Sequence, residues 1–326
     1  MSFSLDFTFA FEKPSCNAKF RCSPEDFRVD ESLGFEPSGE GEHVYVHIKK
    51  RGENTDWVAE KLAKFFKVKS MDVSYSGMKD RHAITRQWFS IYLPGKDQPI
   101  DWPAFVAGAE SDIEILGSKR HHQKLRRGMH SANQFEIVLR ELNHSEGLDQ
   151  RLQKIKQSGV PNYFGEQRFG RGMGNLKLAQ EWMEQGRPIR NRNKRGLAMS
   201  AARSYLFNLV LSRRVELGTW AEKIAGDHCD ETLGLATGPL WGRGRSAAQE
   251  EALELEQEVL APHEQWCNQL EHCGLSQDRR ALALLPIDFQ WQLEGDVLVL
   301  KFGLPPGQFA TSVLREMAVL EQQFGG

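Results

Sequence analysis

The stretch from residue 76 to 89, SGMKDRHAITRQWF, gathers the side chains best suited to chemistry. Lys79, Asp80, Arg81 and His82 stand consecutively behind Gly77, whose missing Cβ permits a tight bend. The stretch lies between strand-like residues 73–75 and 88–93, so a loop projecting from a sheet edge is expected. Flanking cations keep an aspartate ionised, because positive charge favours the carboxylate. An ionised carboxylate can serve as a nucleophile or a base. The plainer reading is an exposed turn with local ion pairs, and composition alone favours it, since surface charge clusters are common.

A second stretch, NYFGEQRFGRG at residues 162–172, sets Tyr163, Phe164, Arg168 and Phe169 among glycines. Unstacked bases lie on aromatic rings and guanidinium planes, and Arg also pairs with phosphate. A buried aromatic turn closed by glycines explains the same pattern equally well. The GxGxG-like spacing lacks the strand-to-helix context of a dinucleotide site. Two basic runs, KRHHQKLRR at 119–127 and RPIRNRNKR at 187–195, each hold five Lys or Arg. One such run is usually a solvated face. Two of them in a chain of net charge -2 point towards a polyanion partner, with the acidic stretch at 250–258 offsetting them elsewhere.

Metal and triad chemistry find little support. His43 and His47 are spaced to share a strand face, and His121 and His122 sit inside a basic run that repels cations. No G-x-S-x-G turn is present. Neither a metal nor a cofactor is expected.

The positioning elements follow from periodicity. Residues 43–48 alternate as a strand, and Asn54 or Thr55 can cap a helix carrying Trp57, Val58, Leu62, Phe65 and Phe66. Residues 113–116 and 135–139 read as further strands. After about Gly159 the character changes, with helices expected over 176–184, 197–217 and 247–260. Strands return at 289–293 and 297–302, joined by a turn at Glu294-Gly295, and a closing helix is expected over 311–324. This is an α+β chain: a mixed sheet domain with a mostly helical interruption.

The bulk properties agree with a soluble globular protein. The 326 residues are 40% hydrophobic and 26% charged, and 19 Phe with 8 Trp imply an aromatic core. The five cysteines are odd in number and form no Cys-x-x-Cys pair, which suits reduced thiols in a cytoplasmic setting. No apolar run has membrane-spanning length, and MSFSLDFTFAFEKPS makes a poor signal peptide.

Taken together, these stretches resemble the TruD family of pseudouridine synthases. Gly77, Lys79, Asp80, Ala83, Thr85 and Gln87 match its signature loop, and NYFGEQRFG its second signature. PEDFRVDE at 24–31 and LPPGQFATSVLRE at 304–316 match as well, in the same order along nearly the whole chain. The resemblance implies a pseudouridine-synthase catalytic domain with a mixed, largely antiparallel sheet, over residues 1–158 and 284–326, and an inserted TRUD domain over 159–283. It implies isomerisation of a uridine in RNA, at position 13 of transfer RNA in bacterial-like members, with Asp80 as the catalytic residue. Phe27, Asn133 and Phe309 match family residues that contact the target nucleotide. Lys79 is expected to help keep Asp80 ionised, and Phe135 to offer a stacking surface or simply core packing. The run Gly128-Met129-His130-Ser131-Ala132 before Asn133 is poorer in glycine than the family form.

The implied partner is transfer RNA, with no membrane and no protein partner. Two other readings compete. A non-catalytic RNA-binding or chaperone protein would use the same surfaces without needing Asp80. A nucleoside hydrolase would release free uracil.

Overall fold

The computed structural model describes residues 3–95 and 99–322. In chain order it opens with β1 (Asn17–Phe20), β2 (Phe27–Ser32), β3 (His43–Arg51) and α1 (Thr55–Phe66). It continues with β4 (Val73–Tyr75), β5 (Ile84–Tyr92), α2 (Trp102–Ala109), β6 (Ile113–His121) and β7 (Ala132–Asn143). Then come α3 (Leu148–Ser158), β8 (Val160–Pro161), α4 (Gly174–Met183), α5 (Arg192–Glu216), β9 (Thr237–Leu240), α6 (Glu250–Leu260) and α7 (Glu264–Glu271). The last elements are β10 (Asp278–Ala281), β11 (Ala283–Leu284), β12 (Ile287–Glu294), β13 (Val297–Leu304), α8 (Ala310–Arg315) and β14 (Val319–Gln322). The fold is α+β, as the sequence pattern indicates.

Two compact units result. One comprises residues 3–14, 147–285 and 309–318; the other comprises 15–95, 99–146, 286–308 and 319–322. The expected boundaries at 159 and 284 thus differ from those of the units. Helix α3 joins the helical unit, and so do an N-terminal segment and the short segment around α8. Phe7 explains the first of these additions: it is buried and stacks on Tyr163 at 5.4 Å. No sequence period announces such a contact between residues so far apart.

The sheet unit is built on a ten-stranded mixed sheet with the path β12-β13-β7-β2-β5-β3-β6. β1 flanks β7 and pairs in parallel with β14, and β4 pairs with β5. Val44, Val46 and Ile48 of β3 and Phe89 and Ile91 of β5 alternate onto one face. There they form one core with Val58 and Leu62 of α1 and Phe105 of α2. Each of these aliphatic side chains contributes about 1.5–3 kcal/mol on burial. Asn54 precedes α1 with extended backbone, and Lys67 ends it in the left-handed conformation at φ 54°.

The helical unit is organised on α5, whose 25 residues extend roughly 37 Å at 1.5 Å per residue. Ala198, Ala201 and Ala202 favour helix and let neighbours approach closely. Leu176 and Ala179 of α4 and Trp266 and Leu270 of α7 complete the core. Two carboxylates are buried here with guanidinium partners, Asp227 with Arg214 at 2.9 Å and Glu256 with Arg279 at 2.5 Å.

The closing helix expected over 311–324 is much shorter. It ends at Arg315, and Val319–Gln322 joins the sheet because those residues hydrogen-bond beside β1. Its last expected residue, Phe324, lies outside the described residues. Among the described residues no helix is long and apolar enough to cross a membrane.

Candidate active site

Alternation decides what the sheet presents. Phe27, Val29 and Glu31 share one face of β2, and their register partners Ile137, Phe135 and Asn133 share it on β7. Thr85 pairs with Val29 and also with Lys50, which places Lys50, Thr85 and Gln87 on the same face. A largely apolar face therefore carries a cluster of buried polar side chains at one end. The opposite face carries Arg28, Asp30, Lys49, Arg86 and Glu136, paired with one another or with Glu114 and Lys301.

The segment from Ser76 to Ala83 is the loop between β4 and β5, and β5 begins at Ile84, earlier than periodicity places it. The polar cluster holds this loop. Thr55 Oγ1 accepts from the Lys79 backbone N–H at 3.0 Å and donates to Gln87 Oε1 at 3.0 Å. Gln87 Nε2 donates to the Gly77 carbonyl at 2.5 Å. The Gly128 N–H donates to the Ser76 carbonyl at 2.8 Å. Thr85 and Gln87 of the signature are thus a β-strand floor, and Gln87 fixes the loop directly.

Lys79 does not turn to Asp80. Its ammonium is buried and donates to Glu31 Oε2 at 2.5 Å, while Glu31 Oε1 accepts from the Trp88 N–H at 3.2 Å. Burial pushes the Glu31 carboxyl upward, and the Lys79 charge opposes it. Asp80 instead keeps a side chain 39% exposed, with Oδ1 3.1 Å from Nη2 of the nearly buried Arg21. The Arg21 guanidinium lies over the rings of Phe27 at 4.3 Å and Phe20 at 4.9 Å. Beneath the loop, Lys50 is fully buried and donates to the carbonyls of Glu53 at 2.6 Å and Asp80 at 3.4 Å. Burial pulls its ammonium down to about 8; the Asp80 charge opposes this and Lys79 adds to it.

Asp80, Phe27, Asn133, Phe135 and Lys79 all belong to the sheet unit. Phe27 is buried, 5.6 Å from Phe20 and 6.0 Å from Phe135 between ring centroids. Phe135 is partly exposed and stacks on Phe302 at 5.4 Å. Asn133 is held by His130, whose Nε2 lies 3.0 Å from Asn133 Nδ2. Phe309 belongs to the helical unit. It precedes α8, with Phe164 at 6.4 Å and the Arg168 guanidinium 5.8 Å from its ring.

In the second signature, Tyr163, Phe164 and Phe169 are buried, so their rings are core. Asn208 clamps this segment, accepting from the Phe164 N–H and donating to the Phe164 carbonyl, both at 2.9 Å. The first basic run is half structural, since Arg120 donates to the Gly41 carbonyl and Lys124 to the Met71 carbonyl. The second leads into α5, where Asn191 caps the helix by accepting from the Lys194 N–H and Arg195 lies over Trp182 at 5.0 Å.

Sequence reasoning misses Arg21, Lys50, Glu31 and His130. Lys50 and Glu31 had a readable signal, for each continues an inward-facing alternation: Val44, Val46, Ile48, Lys50 and Phe27, Val29, Glu31. Arg21 had none.

The loop thus presents a partly exposed carboxylate, Asp80, held by the nearly buried Arg21 and pinned to a sheet floor. The family model of tRNA pseudouridine synthase D (TruD) matches residues 6–190 and 228–317. A Cellvibrio japonicus protein named tRNA pseudouridine synthase D is 52% identical over 325 residues, spanning 98% of this chain and 95% of that one. One of the same name from Aeromonas hydrophila is 48% identical over 333 residues, spanning 95% and 93%. The crystal structure of a putative tRNA pseudouridine synthase D from Methanosarcina mazei shares the fold with a TM-score of 0.69, at 21% identity over 95% of each chain. This chain belongs to the TruD family of tRNA pseudouridine synthases.

Proposed function

We propose that this chain isomerises uridine to pseudouridine in transfer RNA, at position 13, with Asp80 as the nucleophile. The observation that carries the reading is the pairing of the half-exposed Asp80 carboxylate with Arg21. The guanidinium fixes one oxygen and leaves the other free to react.

The chemistry needs only this chain and the RNA. An Asp80 oxygen bonds to C1′, and the C1′–N1 bond breaks with its electron pair leaving on uracil. The uracil anion turns in place. Its C5 then bonds to C1′, the carboxylate leaves, N1 takes a proton and the C5 proton passes to water. A base must leave its stack for this to happen, and partly exposed aromatic rings can hold it. Phe135 fits that role within the sheet unit; Phe27 acts through the Arg21 it carries. The sheet unit corresponds to the catalytic domain and the helical unit to the TRUD domain. The setting is cytoplasmic, where transfer RNA is processed.

The test is tritium release from transfer RNA transcript labelled at C5 of uridine, without added metal or nucleotide. Release by wild type and none by Asp80→Asn supports the reading, and primer extension after chemical modification locates the site. A folded wild type that releases nothing from transfer RNA overturns it. Activity retained in Asp80→Asn removes the nucleophile.

A further inference from the structure

The chain Ser76–His130–Asn133 has a direction. Ser76 Oγ accepts from the His130 backbone N–H at 2.8 Å and lies 2.5 Å from Nδ1 of the same residue. The other ring nitrogen, Nε2, lies 3.0 Å from Asn133 Nδ2. An amide nitrogen can only donate, so Nε2 must carry a lone pair and the ring proton must sit on Nδ1, donating to Ser76 Oγ. Asn133 Oδ1 is shielded from solvent and has no hydrogen-bond donor among the described residues. A dry, unpaired acceptor is costly unless a ligand supplies the donor.

We propose that His130 is a positioning residue that fixes which way the Asn133 carboxamide faces, so that Asn133 presents its oxygen to the imide N–H of the target uracil. This rests on the reading of Asn133 as a residue that contacts the target nucleotide. Uracil carries a hydrogen on N3, whereas cytosine carries a lone pair there. An acceptor held in one orientation therefore favours uridine over cytidine, and a freely turning carboxamide would satisfy either. The surroundings keep the imidazole neutral: burial, and then the Lys79 charge, pull its pKa down to about 4. An imidazolium would point a second donor at the amide nitrogen and turn the carboxamide round.

Two measurements on the full chain test this. Nitrogen-15 NMR of histidine-labelled wild type near pH 7.5, with the His130 signals assigned by their loss in His130→Gln, should show the proton on Nδ1. A proton on Nε2 overturns the proposal, whether or not any variant folds. The second measurement is the affinity ratio for transcripts carrying uridine or cytidine at the modified position. The ratio should fall about tenfold in His130→Ala. It should fall equally in Asn133→Ala, and no further in the double variant. His130→Gln, whose amide oxygen can accept from Asn133, should keep most of the ratio. A His130→Ala chain that loses melting temperature or overall affinity while its ratio is unchanged is merely destabilised, and overturns the proposal. A wild type that makes no pseudouridine in transfer RNA brings down the functional reading and this inference with it; active wild type with an unmoved ratio brings down this inference alone.

Discussion

Nη2 of Arg21 lies 3.1 Å from Oδ1 of Asp80, although Arg21 is buried and Asp80 is exposed to solvent. Arg21 also has a left-handed backbone, with φ 59°, a conformation that few residues other than glycine adopt. It follows β1 directly, and that turn directs its side chain across Phe20 and Phe27 towards the loop. The cation is held by aromatic faces, which leave its charge available to Asp80.

Asp80→Asn should therefore lose at least about 10³-fold in turnover, equivalent to about 4 kcal/mol of barrier. The side chain supports no core, so melting temperature and RNA affinity should stay near wild type. Tritium release and filter binding on the same preparations check this.

Arg21→Lys keeps the charge but loses the planar group that rests on two rings. Turnover should fall by roughly tenfold to a hundredfold with little change in KM, since the variant misplaces the carboxylate without altering RNA contacts. A steady-state kcat and KM measurement separates the two effects.

Breaking the buried Lys79–Glu31 pair should cost about 3–5 kcal/mol, because either survivor is a buried charge without its partner. Lys79→Met combined with Glu31→Leu should recover most of that loss. Hydrogen exchange of amides in β2 and β5 measures the stability of the unit concerned.

Lys50 makes stability depend on pH. It titrates at about 8 in the folded chain, against an ordinary value of 10.5. Between those values the unfolded chain holds the extra proton, so this group's contribution rises with pH from about 8 to 10.5 and is least favourable below 8. Wild type minus Lys50→Met should thus become more favourable by up to about 3 kcal/mol across that window. Denaturation of both proteins at pH 7.5 and pH 10 gives the difference.

Asn208→Ala should destabilise the helical unit by about 1–3 kcal/mol, since it leaves both backbone groups of Phe164 unpaired in a buried place. Exchange should quicken around residues 162–169 while β2 and β5 keep their protection.

Much of this was legible in the sequence where the cause is local. Helix α1 follows from a capping residue and apolar spacing, and the Asp80 loop from a glycine and four polar neighbours. Lys50 and Glu31 stand in plain alternation, but charged residues usually face water, so the pattern alone does not bury them. Arg21 could not be found, since its nearness to Asp80 depends on a left-handed turn and on β2 lying parallel to β5. The end of α8 is not legible for a related reason: Val319 and Leu320 suit helix or strand, and only the free edge of β1 decides between them.

The parallel pairing of β1 with β14 also governs when the chain can finish folding. Segment 309–318 completes the helical unit and Val319–Gln322 adds the last strand of the sheet, so both units wait for the same late stretch. At a synthesis rate of about 5–20 residues per second, that stretch emerges within roughly one to three seconds. A ribosome that stalls before residue 309 holds a helical unit without α8 and a sheet whose β1 lacks its parallel partner.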